Sequence, residues 1–270
     1  MRLFVANLRK LSQRTATWVT FGLLAGLLTQ ILVAGATTAG DGTAPNGAPG
    51  ADPLALVTFP GAYDQILSFL VGLGGLFAVI YGAAIAGSEW TWGTLKTAVA
   101  RGESRIWYVL ASFAAIVVVM GAGLLVAFGV DVGAAALGAA LAGVPLDGIT
   151  DADALAALPD QLVRGWVAIV EQAALGFAVA TLARSQLAGI GAGIAFYFGE
   201  TFAGIFLPDI VKYLPFSAAN ASLGLPGGFG DGAATAAALS QGTALLLVGA
   251  WLIGSLLVAV LFTDRAEISG

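Results

Sequence analysis

The charged side chains that could do chemistry in this chain concentrate in one short segment, Ser88 to Arg105. The sequence has only 11 basic and 16 acidic residues among 270. Five of them lie here between two long apolar runs: Glu89, Lys96, Arg101, Glu103 and Arg105. Carboxylates and cations at such spacing can form ion pairs, support a helix end or bind a charged partner. Cysteine and histidine are both absent, which excludes disulfides, Cys/His metal sites, thiol catalysis and histidine acid–base chemistry.

The composition indicates that the folded chain is surrounded by lipid. Hydrophobic residues make up 59% of the sequence and charged residues 10%, and the mean hydropathy is +0.93. So much apolar surface cannot be buried inside one water-soluble globule of 270 residues. We therefore expect an all-α integral membrane protein that forms a single transmembrane domain over residues 1–270.

Six apolar stretches are long enough to cross a bilayer, which requires about 20 residues of helix. The expected spans lie at about 16–37, 64–87, 107–129, 163–183, 186–207 and 238–262. The uncharged run from Val132 to Leu146 has only 15 residues, so we interpret it as a re-entrant or outer-surface helix. The proline-containing segment from Pro208 to Asp231 is expected to form short, broken helices at the outer interface.

The distribution of Lys and Arg sets the expected orientation, because cytoplasmic loops retain positive charges during insertion. With the N-terminus inside, nine basic residues are cytoplasmic and only Arg164 and Lys212 are outside. Ten aspartates then fall outside: Asp41, Asp52, Asp64, Asp131, Asp147, Asp151, Asp153, Asp160, Asp209 and Asp231. Both termini are therefore expected on the cytoplasmic side.

The first 14 residues predict an interfacial helix on the inner leaflet. Phe4, Val5, Leu8 and Leu11 share one face of this helix, and the other face carries Arg2, Arg9, Lys10 and Gln13. A basic start, an apolar stretch and VAGA near Ala36 also fit a cleaved signal peptide loosely. The apolar stretch is long enough to span a membrane, however, and five more spans follow, so we favour the interfacial helix.

Two carboxylates, Glu171 and Glu200, lie within expected spans. A charge at that depth costs at least about 2.5–3.5 kcal/mol, so each needs a partner, water or a proton. Glu171 lies two turns from Arg164 on the same helical face, and Glu200 is expected near the outer end of the fifth span. Both could contact a substrate or transfer protons. Alternatively, they form structural interhelical hydrogen bonds or are exposed to outer water.

Residues 88–105 join the second and third expected spans on the cytoplasmic side. Leu95, Ala98 and Val99 share one face of a helix of about 8 residues, and Gly102 supplies a stop signal. Glu89 precedes this helix, where a carboxylate favours the exposed N–H groups of the helix start. Because so short a helix is unstable alone in water, we expect another group to hold it. The alternative is an ordinary inside loop with snorkelling cations.

The run EWTWGTLKTAVARGESRIWYVLASF resembles the cytoplasmic loop of ABC-2-type ABC transporter permeases. The shared pattern is an acidic residue, Gly-Thr, a short basic-apolar helix, an Arg, a Ser-Arg pair and re-entry into the membrane. It is matched by Glu89, Gly93, Thr94, Leu95, Arg101, Ser104 and Arg105. The basic amphipathic start, the six spans and the outer segment YLPFSAAN agree with the family's layout. One departure is Ser112, in the neighbourhood where a Lys is often found after re-entry.

The resemblance implies the membrane-spanning subunit of an ATP-driven transporter in a prokaryotic plasma membrane. It also implies a separate ATP-binding subunit that carries the ATP and Mg²⁺, with no cofactor in this chain. The coupling helix of this chain would be formed or braced by Glu89, Gly93, Thr94, Leu95, Lys96, Arg101 and Arg105. A second permease copy or a paralogue would complete the pathway within the lipid bilayer. Nucleic acid is not an expected partner.

The phosphate-binding loop of ATPases requires Gly directly before Lys and Ser or Thr after it. The three lysines of this chain follow Arg9, Leu95 and Val211, so we expect no ATPase or other enzymatic activity here. Two other functions stay open. One is a proton-coupled secondary transporter that uses Glu171 and Glu200, and the other is a non-transporting membrane assembly factor that binds its neighbours through the same loop.

Overall fold

The computed structural model describes residues 2–40, 53–225 and 239–266, and all regular elements within them are helical. The α-helices are α1 (Arg2–Ser12), α2 (Thr15–Gly40), α3 (Gly61–Thr91), α4 (Thr94–Ala100), α5 (Arg105–Ala142), α6 (Ala152–Ala183), α7 (Gln186–Phe206), α8 (Pro208–Val211), α9 (Pro215–Leu223) and α10 (Gln241–Arg265). Six of them, α2, α3, α5, α6, α7 and α10, are long and apolar enough to cross a membrane. The expectation of six helices that are long and apolar enough to cross a membrane is confirmed.

The third expected span, 107–129, is much longer than predicted. Helix α5 continues without a break to Ala142, so residues 132–142 do not form a separate re-entrant or surface helix, and that prediction was wrong. The error came from reading Asp131 as the end of the span. The Ala- and Leu-rich residues after it favour helix strongly enough to continue the turn. Helix α5 ends instead at Gly143, whose φ of 70° suits glycine.

The fourth expected span, 163–183, also begins earlier than predicted, because α6 starts at Ala152. The carboxylate of Asp151 accepts a hydrogen bond of 2.9 Å from the Ala154 N–H and thereby caps the helix. The charged residues of this first part of α6 delayed the predicted start, although they lie on a continuous helix. Helices α5 and α6 therefore extend further than expected at the same end of the bundle.

Two short helices occupy the segment for which broken helices were expected. Helices α8 and α9 each begin with a proline, which the first turn of a helix accommodates because its N–H groups have no partner within the helix. The rest of that segment, 226–231, lies outside the described residues. So do Asp41, Asp52 and the expected start of the last span at 238.

Helices α3 and α6 form the centre of the bundle. In their most apolar stretches 72% and 67% of the residues are buried, against 17–22% in α2, α7 and α10. A Cβ atom on Gly82 would lie 2.0 Å from the Ala173 carbonyl oxygen, and one on Gly176 would lie 2.0 Å from the Val79 carbonyl oxygen. The two glycines therefore allow the backbones of α3 and α6 to touch, as small residues do where membrane helices cross.

Both described chain ends lie at the end of the bundle that carries residues 88–105, here called the loop end. Helix α1 packs beside the start of α5, with Leu11 buried and Phe4 and Leu8 partly buried. Val5, predicted on the same face, is instead 59% exposed, because it points away from α5. The last turn of α10 meets the loop as well, through contacts described below. This arrangement agrees with an even number of spans. The amphipathic helix predicted for residues 1–14 is present as α1, and its place on the inner leaflet stays a prediction.

Candidate functional site

Helix α4 is a seven-residue helix whose two ends are fixed by glycines. Gly93, directly before it, has a φ of 65°, and Gly102, directly after its cap, has a φ of 88°. The Gly102 N–H donates to the Val99 carbonyl at 2.9 Å, and the Glu103 N–H donates to the Ala98 carbonyl at 3.2 Å. This pair of bonds is the Schellman motif, which ends helices at glycine. The stop predicted at Gly102 is therefore confirmed.

One face of α4 is anchored in the protein by a single leucine. Leu95 is only 3% exposed and lines a small cavity together with Trp90, Tyr108 and Phe177. Ala98 and Val99, which the sequence placed on the same face, are half-buried. The predicted apolar side of the helix is thus present, with Leu95 as its buried anchor.

Glu89 is the buried carboxylate that connects α4 to the rest of the loop end. Its side chain lies at the end of α3, and Glu89 is 5% exposed. Lys10 of α1 contacts one carboxylate oxygen at 2.6 Å. The hydroxyl groups of Thr94, in α4, and Tyr108, in α5, both donate to the other oxygen. We call these four residues the Glu89 junction, because they join α1, α3, α4 and α5.

The Glu89 junction stabilises the packing of the four helices through three contacts to one carboxylate. A hydrogen bond to a charged group contributes about 1.5–3 kcal/mol, roughly twice the value for a neutral pair. Glu89 was predicted to favour the N–H groups at the start of α4, and the structure places its carboxylate on the Thr94 hydroxyl. Sequence reasoning missed Lys10 and Tyr108. They lie 79 and 19 residues from Glu89, and no local pattern connects positions so far apart.

Two arginines pack on the tryptophans of the loop. Arg14 lies 4.8 Å above the Trp92 ring and donates to the Ser88 hydroxyl at 3.0 Å. Arg184, in the turn between α6 and α7, lies 5.3 Å from the Trp90 ring and 5.2 Å from the ring of Phe262 in α10. Cations over aromatic rings are stabilised by the ring's negative face. These contacts attach the loop to the ends of α6 and α10.

Arg105 attaches the start of α5 to the end of α10. Its guanidinium donates to the backbone carbonyls of Asp264 at 2.9 Å and Ala266 at 2.8 Å. Carbonyls at the C-terminal end of a helix have no partner within the helix, so the arginine supplies one. Of the residues predicted to brace the coupling helix, Arg105 therefore acts at α10, away from α4 itself.

The opposite side of α4 faces outward. Its exposed residues are Lys96, Thr97, Ala100 and Arg101, here called the outward face of α4. Trp92, just before the helix, is 64% exposed as well. The seven predicted loop residues are thus divided by the structure. Glu89, Thr94 and Leu95 hold α4 from inside, Gly93 shapes its start, Arg105 holds α10, and Lys96 and Arg101 point outward.

The two carboxylates expected within spans are both buried but have different partners. Glu200 is 5% exposed and accepts hydrogen bonds from the backbone N–H groups of Phe216, at 3.3 Å, and Ser217, at the start of α9. Glu171 is fully buried, and among the described residues neither of its oxygens has a hydrogen-bond partner. Arg164, on the same face of α6, forms an ion pair of 2.7 Å with Asp160.

Asp131 is a third buried carboxylate, which the sequence placed outside the spans. It lies within α5, is 0% exposed and accepts a 3.2 Å hydrogen bond from the Thr29 hydroxyl of α2. Its other oxygen has no hydrogen-bond partner in the part of the chain that the structure describes. Asp131 is the only charged residue between Arg105 and Asp147, and this isolation was the available signal of a buried carboxylate. It was interpreted as the end of a span.

A comparison with protein-family models gave no match, and no curated protein matched the sequence. The functional interpretation therefore rests on the loop residues and their geometry.

Proposed function

We propose that this chain is the membrane-spanning subunit of an ATP-driven, ABC-2-type transporter, and that α4 couples it to a separate ATP-binding subunit. The observation that supports this proposal is the Glu89 junction. It holds the inner side of α4 against α1, α3 and α5, while Thr97, Ala100 and Arg101 remain exposed for a partner.

A force on α4 would be transmitted to the centre of the bundle. Glu89 belongs to α3, which touches α6 backbone to backbone at Gly82 and Gly176. Closure of an ATPase around α4 would therefore displace α3 and α5 together and change their packing on α6. In this proposal ATP and Mg²⁺ bind to the partner subunit, the loop end faces the cytoplasm of a prokaryotic cell, and a second permease copy or paralogue completes the pathway.

A specific observation favours a second candidate, a proton-coupled secondary transporter. Glu171 is a fully buried carboxylate without a hydrogen-bond donor, a situation typical of groups that bind protons within membranes. This candidate predicts transport that depends on a proton gradient and continues without any nucleotide-binding partner. We rank it second, because it gives no role to the exposed and firmly held α4.

Two acidic substitutions on the outward face of α4 test the first candidate. The variant Thr97→Glu with Ala100→Glu places bulky negative charges on an exposed surface and leaves Leu95 and Glu89 unchanged. Its affinity for the ATP-binding subunit that co-purifies with the unmodified chain, measured by titration in lipid nanodiscs, should fall at least tenfold, about 1.4 kcal/mol. The physical reason is that buried, unpaired charges at the centre of an interface are strongly unfavourable.

The matched control is Ala156→Glu with Ala157→Glu, which places the same charges on exposed positions of α6 at the opposite end. This control should bind the ATPase like the unmodified chain. Unchanged binding and transport in the α4 variant would refute the assignment of α4 as the coupling helix.

A further inference from the structure

Glu171 combines complete burial with an absence of partners. It is 0% exposed, and no donor from residues 2–40, 53–225 or 239–266 reaches either of its carboxylate oxygens. It lies about three turns from the end of α6, roughly 18 Å along the helix axis and therefore within the hydrocarbon region of a bilayer. An ionised carboxylate in such a place would lose its hydration and gain no compensating hydrogen bond. The neutral, protonated form avoids most of that cost.

The neighbouring carboxylate on α7 strengthens the argument. The antiparallel helices α6 and α7 bring Glu171 and Glu200 to nearly the same level, because Gly189 lies against Ala180 and both Gly176 and Gly193 lie against Val79. Glu200 accepts two backbone N–H groups at the start of α9, an environment that stabilises a negative charge. Two nearby carboxylates in an apolar region do not both ionise readily, since each charge opposes the other. Of the two carboxylates, Glu200 has N–H donors and Glu171 has none, so a single proton shared by the pair is better placed on Glu171.

Among the described residues, no charged group near Glu171 supplies a counter-charge for its carboxylate. Arg164, on α6 itself, pairs with Asp160. On α7 the other titratable side chain near Glu200 is Tyr197.

The tyrosines of α3 bond elsewhere. Tyr63 donates to the Ile149 carbonyl, and Tyr81 bonds to Thr17. Helix α9 contains no titratable side chain, and the charged residues of α10 lie in its last turn at the loop end. The carboxylates of α3 have other partners, since Asp64 accepts from Gln161 and Glu89 belongs to the Glu89 junction. On α5, Asp131 accepts from Thr29, Tyr108 donates to Glu89 and Arg105 binds the end of α10. Glu171 therefore has to be neutralised by a proton of its own.

We propose that Glu171 and Glu200 form a proton-binding site between α6, α7 and α9, with the proton on Glu171. Where water reaches this site, the carboxyl O–H bond breaks, its electron pair stays on the carboxylate and the proton passes to the water. Binding of the proton is then linked to pH, whatever energy source drives the protein. This inference does not depend on the proposed coupling role of α4.

Infrared spectroscopy tests the site without any transport measurement. The purified chain in lipid nanodiscs at neutral pH should show carbonyl absorption in the region of protonated carboxyl groups. Glu171→Gln should reduce the intensity of this band by the contribution of one protonated carboxyl group. Glu200→Gln and the exposed control Glu103→Gln should leave the intensity unchanged. Asp131 is also buried and can contribute, so the Glu171 signal is taken as the difference between the unmodified chain and Glu171→Gln. No such difference, or a loss in Glu200→Gln, would overturn the proposal.

Thermal unfolding gives a second readout and covers the case in which Glu171→Gln folds poorly. The variant Glu171→Met keeps a similar volume without a titratable group. In the unmodified chain, the unfolded state releases the Glu171 proton at neutral pH and the folded state retains it, so stability falls as pH rises from acid to neutral. The Tm of Glu171→Met should therefore fall less over that range than the Tm of the unmodified chain. Parallel Tm profiles would contradict a protonated Glu171.

Discussion

Replacing Gly82 or Gly176 by alanine is expected to reduce the free energy of unfolding by about 3 kcal/mol, at the upper end for overpacking. The added methyl group would lie 2.0 Å from a backbone carbonyl oxygen of the facing helix, which cannot turn aside as a flexible side chain can. Helices α3 and α6 would have to separate at the centre of the bundle. Thermal unfolding in detergent, followed by tryptophan fluorescence, measures the change.

Suitable controls are Gly191→Ala and Gly249→Ala, because a Cβ at either position meets nothing within 4 Å. These variants should be unchanged or more stable by up to about 1 kcal/mol, since alanine favours helix over glycine. If all four variants had the same Tm, the close crossing of α3 and α6 would be wrong.

Replacing Glu89 by alanine is expected to destabilise the loop end by about 3 kcal/mol, the lower end for breaking a buried ion pair. The Lys10 side chain is 30% exposed and can recover some hydration, which keeps the cost at that lower end. The hydroxyl groups of Thr94 and Tyr108 would also lose their acceptor. Helix α4 would then be held chiefly by Leu95. We expect a lower Tm together with ATP hydrolysis by the partner that no longer drives transport.

The control for this experiment is Glu103→Ala, an exposed acid in the same loop, which should change stability by less than about 0.5 kcal/mol. The double variant Lys10→Met with Glu89→Met removes both charges and should recover part of the loss, because no buried charge is left unpaired. A Glu89→Ala variant with unchanged Tm and unchanged transport would show that the junction has no mechanical role.

The features that the sequence predicted correctly are local. Apolar length between charges predicted the six helices that, among the described residues, are long and apolar enough to cross a membrane. Helical periodicity with a final glycine predicted α4, its buried Leu95 and its end at Gly102. Each of these depends on neighbouring residues along the chain, where hydrophobic period and helix-end chemistry act directly.

The features that the sequence did not predict depend on contacts between distant elements. Lys10 and Tyr108 reach Glu89 only because α1 and α5 fold back beside α3. Asp131 is tolerated inside α5 because Thr29 of α2 supplies a donor, so a charge that normally ends a span does not end this one. Tertiary contacts of this kind leave no periodic signal in a single sequence.

The central claim is that an ATP-binding subunit docks on the outward face of α4, and cross-linking from a single site tests it most directly. The chain contains no cysteine, so Thr97→Cys creates a unique thiol for a photoreactive label. Asp153→Cys, exposed at the opposite end, is the matched control. We predict a cross-link to a co-purifying P-loop ATPase from Thr97→Cys and none from Asp153→Cys. Cross-links from Asp153→Cys alone, or from neither position in a preparation that transports, would contradict the account.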